Sequence, residues 1–418
     1  MLERLLVFLF SIMLIVDSVN GLTMRAADFS VSAPFKGLLL VLVVLYLQRW
    51  VSVSLVLLVL LLFIFVHFFV LGDVVSALSS SEMLFKCFSI VIFYWFFRRL
   101  LQNRDHHTVV VIAAVAGIVI VANLMVGLAG FGYAQYVSAD ETTIGSRGFF
   151  YSGNELSVIY VLVVSIILMK LIVEARFFWY IAVGLIATML SVLLATKVTI
   201  LSVLLLFISF PFLSVMDRRL LNFRLSRKKL KFAALISVLF PAVVFSSVYI
   251  LLYEINLIGR LEYFYSTADF VDVAMSGRNL LAADAWSIFS RDYSTIATFF
   301  GRGEYWDGSL DASKLVEIDP VDILMAYGLI GLCLVYGFFT AIMVQVAMNV
   351  QHSPFGKYVL FTTVLLMGIS FTAGHVVYSG TGGYLLAALL ALGTLNARRW
   401  LLTEQDSAVF WPSARQTG

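Results

Sequence analysis

Residues 51–71 read VSVSLVLLVLLLFIFVHFFVL, a run of 21 positions whose one ionisable side chain is His67. A helix needs about 20 predominantly apolar residues to cross the hydrocarbon core of a bilayer, and this run supplies them. Residues 109–130 and 232–253 repeat the pattern. Working outward, runs of this kind predict helices over 4–17, 35–48, 51–71, 83–98, 108–130, 154–173, 178–195, 198–216, 232–253, 321–346, 357–374 and 382–397. A single long polar stretch, 254–320, interrupts them. The pattern therefore predicts an all-α polytopic membrane protein of about twelve transmembrane helices. Residues 1–253 hold helices one to nine, 254–320 form an extracytoplasmic loop domain, 321–397 hold the last three helices, and 398–418 are a cytoplasmic tail.

Composition excludes an ordinary soluble domain. Hydrophobic residues make up 61% of the chain and charged residues 13%, with a mean hydropathy of +1.00; a soluble domain has about 45–50% and about 25%. The net charge of +3 gives no reason to expect a nucleic-acid partner. Cys87 and Cys333 both lie in apolar runs, so neither a disulfide nor a cysteine metal cluster is expected. The apolar start, 5–16, has the length of a signal-peptide core but lacks a clear small-residue cleavage site after it, and reads as a retained first helix.

Orientation follows from basic residues in short loops. Arg98, Arg99 and Arg104 follow the fourth helix, seven Arg and Lys residues lie within 218–231, and Arg398 and Arg399 follow the twelfth. With twelve helices threaded, these clusters share one side, which places both termini in the cytoplasm and 254–320 outside. The chain shows no internal repeat, whereas transporters built from two similar halves usually carry one. At membrane depth His67 and Lys86 are the ionisable candidates. An ion- or proton-coupled pump needs a chain of such groups, and local pairing or snorkelling also accounts for these two.

The chemistry-bearing residues cluster in the outer loops. Arg147 stands in Gly145-Ser146-Arg147-Gly148, ahead of Asn154; Arg278 follows Ser276-Gly277; Arg302 lies between Gly301 and Gly303. A guanidinium matches phosphate oxygens with a bidentate fork, so arginines on glycine turns suit a pyrophosphate-linked lipid. Alternatively, each pairs with a carboxylate of its own loop, such as Glu262, Asp269, Asp272, Asp284, Asp292 or Glu304. Residues 279–290 carry apolar side chains at roughly helical spacing, which predicts an amphipathic helix, either on the membrane interface or packed within the loop domain. Arg278 then sits at its start, where the helix dipole favours an anion. Glu317 and Asp319 precede the tenth helix and His375 ends the eleventh. Each of Glu317 and His375 is a candidate base for an acceptor hydroxyl, or alternatively a helix cap and a helix-end hydrogen-bonding group.

Taken in order, these motifs resemble a known family. The series is Asp17-Ser18-Val19-Asn20-Gly21; Arg147-Gly148 with Asn154; Ala195-Thr196-Lys197; Ser276-Gly277-Arg278; Phe300-Gly301-Arg302-Gly303; Glu317-Ile318-Asp319 leading to Tyr327-Gly328-Leu329-Ile330-Gly331; and Gly374-His375 before Tyr378. It resembles the O-antigen polymerase and ligase superfamily of bacterial envelope polysaccharide assembly. The resemblance implies a multi-pass protein of the bacterial cytoplasmic membrane and a glycosyltransferase that uses an undecaprenyl-pyrophosphate-linked oligosaccharide, with no nucleotide sugar, cofactor or metal. Arg278, Glu317, His375 and Arg147 are its implied catalytic residues; Arg302, Lys197, Asp319, Asn154 and Tyr378 are its implied substrate contacts. Membrane lipid, a chain-length-regulating membrane protein and a flippase are the implied partners. Ligases of this kind commonly carry a His-Asn pair about where Glu317 stands, and 254–320 contains no histidine. That departure favours a polymerase. The alternatives are a ligase transferring glycan to a lipid or protein acceptor, and a transporter or flippase of lipid-linked glycans.

Overall fold

The computed structural model describes residues 1–27, 29–71, 74–103, 106–137, 143–216, 227–253, 272, 275–303 and 315–395. Among the described residues nine helices come first: α1 (Leu2–Ala27), α2 (Ser32–Leu47), α3 (Trp50–Leu71), α4 (Val74–Asn103), α5 (His107–Leu128), α6 (Gly153–Val173), α7 (Phe177–Leu193), α8 (Lys197–Val215) and α9 (Arg227–Tyr253). Two shorter ones follow, α10 (Arg278–Asp292) and α11 (Thr295–Phe300). The chain then runs through α12 (Asp319–Asn349), α13 (Gly356–Thr372) and α14 (Gly383–Gly393). Each of the twelve runs read from the sequence coincides with one of these helices. Among the described residues six are long and apolar enough to cross a membrane: α1, α3, α5, α6, α8 and α12; four more apolar helices are shorter. The chain is thus a helical, multi-span membrane protein. The basic clusters at 218–226 and 398–399, Arg104, Glu262, Asp269, Glu304 and the 398–418 tail lie outside the described residues.

The structure adds one departure from an all-helical chain. Strands β1 (Tyr133–Val137) and β2 (Thr143–Gly148) pair antiparallel between α5 and α6. The hairpin is clamped onto the bundle: the Tyr133 hydroxyl donates to Gly21 O at 3.0 Å and Arg25 donates to Gly132 O at 2.8 Å. Asn123 of α5 accepts from Phe149 N at 3.2 Å and from the Ser18 hydroxyl at 2.8 Å.

The core forms around α6 and α14. Every residue of α14 is buried, and it packs against α4, α13 and α6. Phe10 of α1 fills the gap beside it, stacked on Phe96 and Tyr384. At 1.5 Å per residue a helix this short spans roughly half of a bilayer core. The irregular segment 373–382 before it is mostly buried in the bundle. Irregular backbone is tolerated there only where protein satisfies its polar groups. Asp319 does this. Fully buried, its carboxylate accepts from the backbone N–H groups of His375, Val376 (2.9 Å) and Val377 (3.1 Å), and from the Ser370 hydroxyl at 2.8 Å. Asp322, one turn on, accepts from Val316 N at 2.7 Å and from the Tyr378 hydroxyl at 3.0 Å. Asp319→Ala strands at least two buried donors. It is expected to cost about 3 kcal/mol or more, read as a lowered unfolding temperature in detergent; an unchanged temperature would contradict the anchoring role.

Helix α12 breaks at Gly328, whose φ of +63° lies in the left-handed region. The carbonyls freed by a break need new donors. Met325 O accepts from Arg302 N at 3.0 Å and from the Tyr293 hydroxyl at 2.8 Å. His67 Nε2 bonds Phe300 O at 2.8 Å while its ring stacks on Tyr327. The ionisable group read at membrane depth thus holds α11 onto α3. Helix α10 buries Ala285 against Val316, Ile318 and Met325, and leaves Leu280 and Trp286 exposed. It is amphipathic, packed on one side and open on the other.

Candidate active site at one end of the bundle

Three strained turns converge beside the start of α12. Ser276 (φ +56°), Glu317 (φ +61°) and His375 (φ +62°) are all in the left-handed region, which side chains other than glycine rarely adopt. Strain of this kind persists only where the surroundings impose it, and it concentrates at functional sites. The surroundings here are specific. A Cβ added at Gly374 would lie 2.7 Å from Glu317 O, so the two turns can back onto each other only with glycine at 374. The Asp319 carboxylate then fixes the backbone of 375–377 from below.

The side chains these turns present form one cluster. Arg278, first residue of α10, sends Nε to Glu317 Oε2 at 3.1 Å, and its Nη2 donates to the same oxygen. Asn154, in the first turn of α6, donates to that oxygen at 3.3 Å. His375 Nε2 lies 3.8 Å from Glu317 Oε1, an ion-pair distance beyond direct hydrogen bonding. Arg278 and His375 are mostly buried, whereas the Glu317 side chain is 39% exposed. Gly277 provides no side-chain cap, so the N-terminus of α10 adds its partial positive charge beside Arg278.

Charge separates the roles of the two candidate bases. The His375 imidazole, and then the Arg278 guanidinium, hold the Glu317 carboxyl down to about 2 against the opposing effect of burial. A carboxylate so firmly ionised is a weak proton acceptor at neutral pH. For His375 burial is the largest influence and pulls its pKa down. The contact with Glu317 and the charges of Glu155 and Asp319 outweigh it, and the net direction is up. Of the two candidate bases, Glu317 is thus held ionised, while the His375 pKa is shifted upward.

A cavity of about 750 Å³ opens beside this cluster. His375 and Tyr378 line it from the 373–382 segment, Asp17 from α1, Lys36 from α2, Lys86 from α4 and Glu155 from α6. Lys36 pairs with Asp17 at 2.8 Å and donates to the Thr381 hydroxyl at 3.1 Å. Glu155 accepts from Gly380 N at 3.2 Å. None of Asp17, Lys36 or Glu155 was singled out as a site residue from the sequence. Asp17 does open the first of the motifs quoted above; the signal for Lys36 and Glu155 is that each is a charged side chain in, or at the edge of, an apolar run.

The other sequence candidates stand elsewhere. Arg147 donates to Tyr151 O at 2.6 Å and covers the Tyr133 ring at 5.1 Å; Tyr151 in turn lines the cavity, so Arg147 borders it through that residue. Arg302 donates to the Asp292 carbonyl and covers the Tyr293 ring at 4.7 Å, within the α10–α11 unit. Lys197 is exposed in the first turn of α8. Asp319 and Tyr378 are buried, with Asp319 and the Tyr378 hydroxyl bound to protein groups. At another point of the bundle His106, His107 and Glu174 bring possible ligand atoms within 4.8 Å of one another, but Lys170 Nζ already contacts His107 Nδ1 at 2.9 Å. Both cysteines are free thiols.

No curated protein and no solved structure matches the chain. A family model does: residues 265–397 match the one described as O-antigen ligase like membrane protein. That match covers the C-terminal part of the chain and takes in Arg278, Glu317, Asp319 and His375, so it is this part that is similar to the O-antigen ligase-like membrane proteins.

Proposed function

We propose that the protein polymerises lipid-pyrophosphate-linked oligosaccharide repeat units at the outer face of a bacterial cytoplasmic membrane. The family comprises glycan-transferring enzymes, with lipid-linked glycans as the substrates it implies. The observation that carries the reading is the cluster of Arg278, Glu317, Asn154 and His375, drawn from four separate segments to the edge of one cavity. In the proposed step an acceptor-sugar hydroxyl attacks the anomeric carbon of the donor glycan. The bond from that carbon to the pyrophosphate oxygen breaks, the lipid pyrophosphate leaves with the electron pair, and the hydroxyl proton passes to Nε2 of His375. Glu317 stabilises the imidazolium that forms. Arg278 stabilises the charge growing on the leaving pyrophosphate, an interaction stronger in the transition state than in the ground state. The polymerase reading, rather than transfer to a different acceptor, rests on Glu317 standing where ligases carry histidine.

The pH dependence tests the assignment of the base. Elongation requires neutral His375, so the rate rises with pH through its pKa, which lies above the ordinary 6.5. Glu317→Gln removes a neighbouring negative charge and lowers that pKa, so the acid limb is expected to move to lower pH. A limb that stays in place would contradict the pairing. Orientation is tested separately. In spheroplasts, with both native cysteines replaced, Ser290→Cys in α10 is expected to react with a membrane-impermeant thiol reagent. Reaction only with a permeant reagent would reverse the topology.

A further inference from the structure

The lining of the cavity discriminates between the two ends of a lipid-linked glycan. Lys36 is compensated by Asp17, and Lys86 by Glu82 at 2.8 Å. Among the described residues that leaves Glu155 as the surplus charge on the lining before His375 is counted. A pyrophosphate drawn inside would meet like charge, and the remaining cationic group of the lining, His375, already faces Glu317 at 3.8 Å. Sugar hydroxyls suit the same lining well, because each can donate to a carboxylate and accept from an ammonium or a hydroxyl group. Asp17 adds a second observation. It is 7% exposed, its Oδ1 serves both Ser32 and Lys36, and its Oδ2 has no hydrogen-bond partner. A buried carboxylate oxygen left unpaired is costly, and a hydroxyl donor at the cavity wall would relieve it. Phe150 and Tyr151 supply apolar ring surface beside these polar groups.

We propose that this cavity is the acceptor-sugar subsite: it takes an uncharged, hydroxyl-rich sugar, held by Glu155 and the Asp17–Lys36 pair, and excludes the pyrophosphate groups, which stay on the Arg278 side. The subsite rests on the glycan-transfer reading above. It places the acceptor hydroxyl in the same space as His375, the base that receives its proton.

The test uses the purified full chain in nanodiscs and two probes: the repeat-unit oligosaccharide freed from its lipid by mild acid, and inorganic pyrophosphate. The wild type is expected to bind the oligosaccharide without competition from pyrophosphate. Glu155→Gln and Asp17→Asn each remove a charged acceptor, and each is expected to weaken binding by about tenfold. Gly37→Phe gives a variant that fills the cavity without a backbone clash, since a Cβ at Gly37 meets no heavy atom within 4 Å; it is expected to fold and to lose oligosaccharide binding. Wild-type binding by folded Gly37→Phe, or displacement of the sugar by pyrophosphate, would overturn the subsite. A wild-type chain that elongates lipid-linked units yet does not bind the freed oligosaccharide overturns the subsite alone. One that binds the oligosaccharide and never elongates overturns the proposed activity alone.

Discussion

Arg278→Lys is expected to lower glycan elongation by about 10² or more, nearly as far as Arg278→Ala. The expectation follows from geometry rather than charge. Arg278 places Nε and Nη2 on one Glu317 oxygen, which leaves the other edge of the same planar group for a phosphate oxygen. A lysine ammonium is a point charge on a flexible stem. Holding Glu317 withdraws it from the substrate, and holding the substrate releases Glu317 from its position beside His375. Both substitutions should leave expression and membrane insertion intact, because the side chain lies outside the helical core. The measurement is chain length of the glycan product at matched protein levels. Full-length product from Arg278→Ala would remove this residue from the site.

His375→Gln carries the other large effect, a loss of about 10²–10⁴ in turnover, the range for a positioned general base, with binding of the lipid-linked substrate retained within a few-fold. Glutamine keeps a polar side chain of similar reach but accepts no proton near neutral pH. The backbone N–H of residue 375 still bonds Asp319, so the turn is held. Near-normal elongation by this variant would reduce His375 to a hydrogen-bonding group at the end of α13. Loss of substrate binding together with turnover would make it a phosphate contact instead.

Much of the architecture was legible because apolar run length carries it. All twelve runs became helices, since each needed only a count of consecutive apolar positions. The break at Gly328 and the buried course of 373–382 were not legible. Both depend on donors and acceptors remote in sequence: Arg302 N and Tyr293 for one, Asp319 for the other. The β1–β2 pair is not legible because its strands are short, β2 carries two glycines, and tertiary bonds from Tyr133, Arg25 and Asn123 hold it down. In the site, the order of motifs marked Arg278, Glu317 and His375, and the fold brings these three together. It does not do so for Arg147 and Arg302. A glycine-flanked arginine looks the same in sequence whether its guanidinium meets a carboxylate or, as here, a carbonyl and a tyrosine ring. Asp17, Lys36 and Glu155 belong to separate helices, and only the packing of α1, α2 and α6 makes them one surface.

The most direct measurement is elongation in a purified system. The full chain is reconstituted with lipid-pyrophosphate-linked repeat units as the sole glycan source, and products are resolved by length. The expected result is a ladder of lipid-linked glycans extended by whole repeat units, with one lipid pyrophosphate released per unit added, and no ladder from His375→Gln. Repeat units that remain monomeric with the folded wild-type chain, or that are transferred only when a different acceptor is supplied, would contradict it.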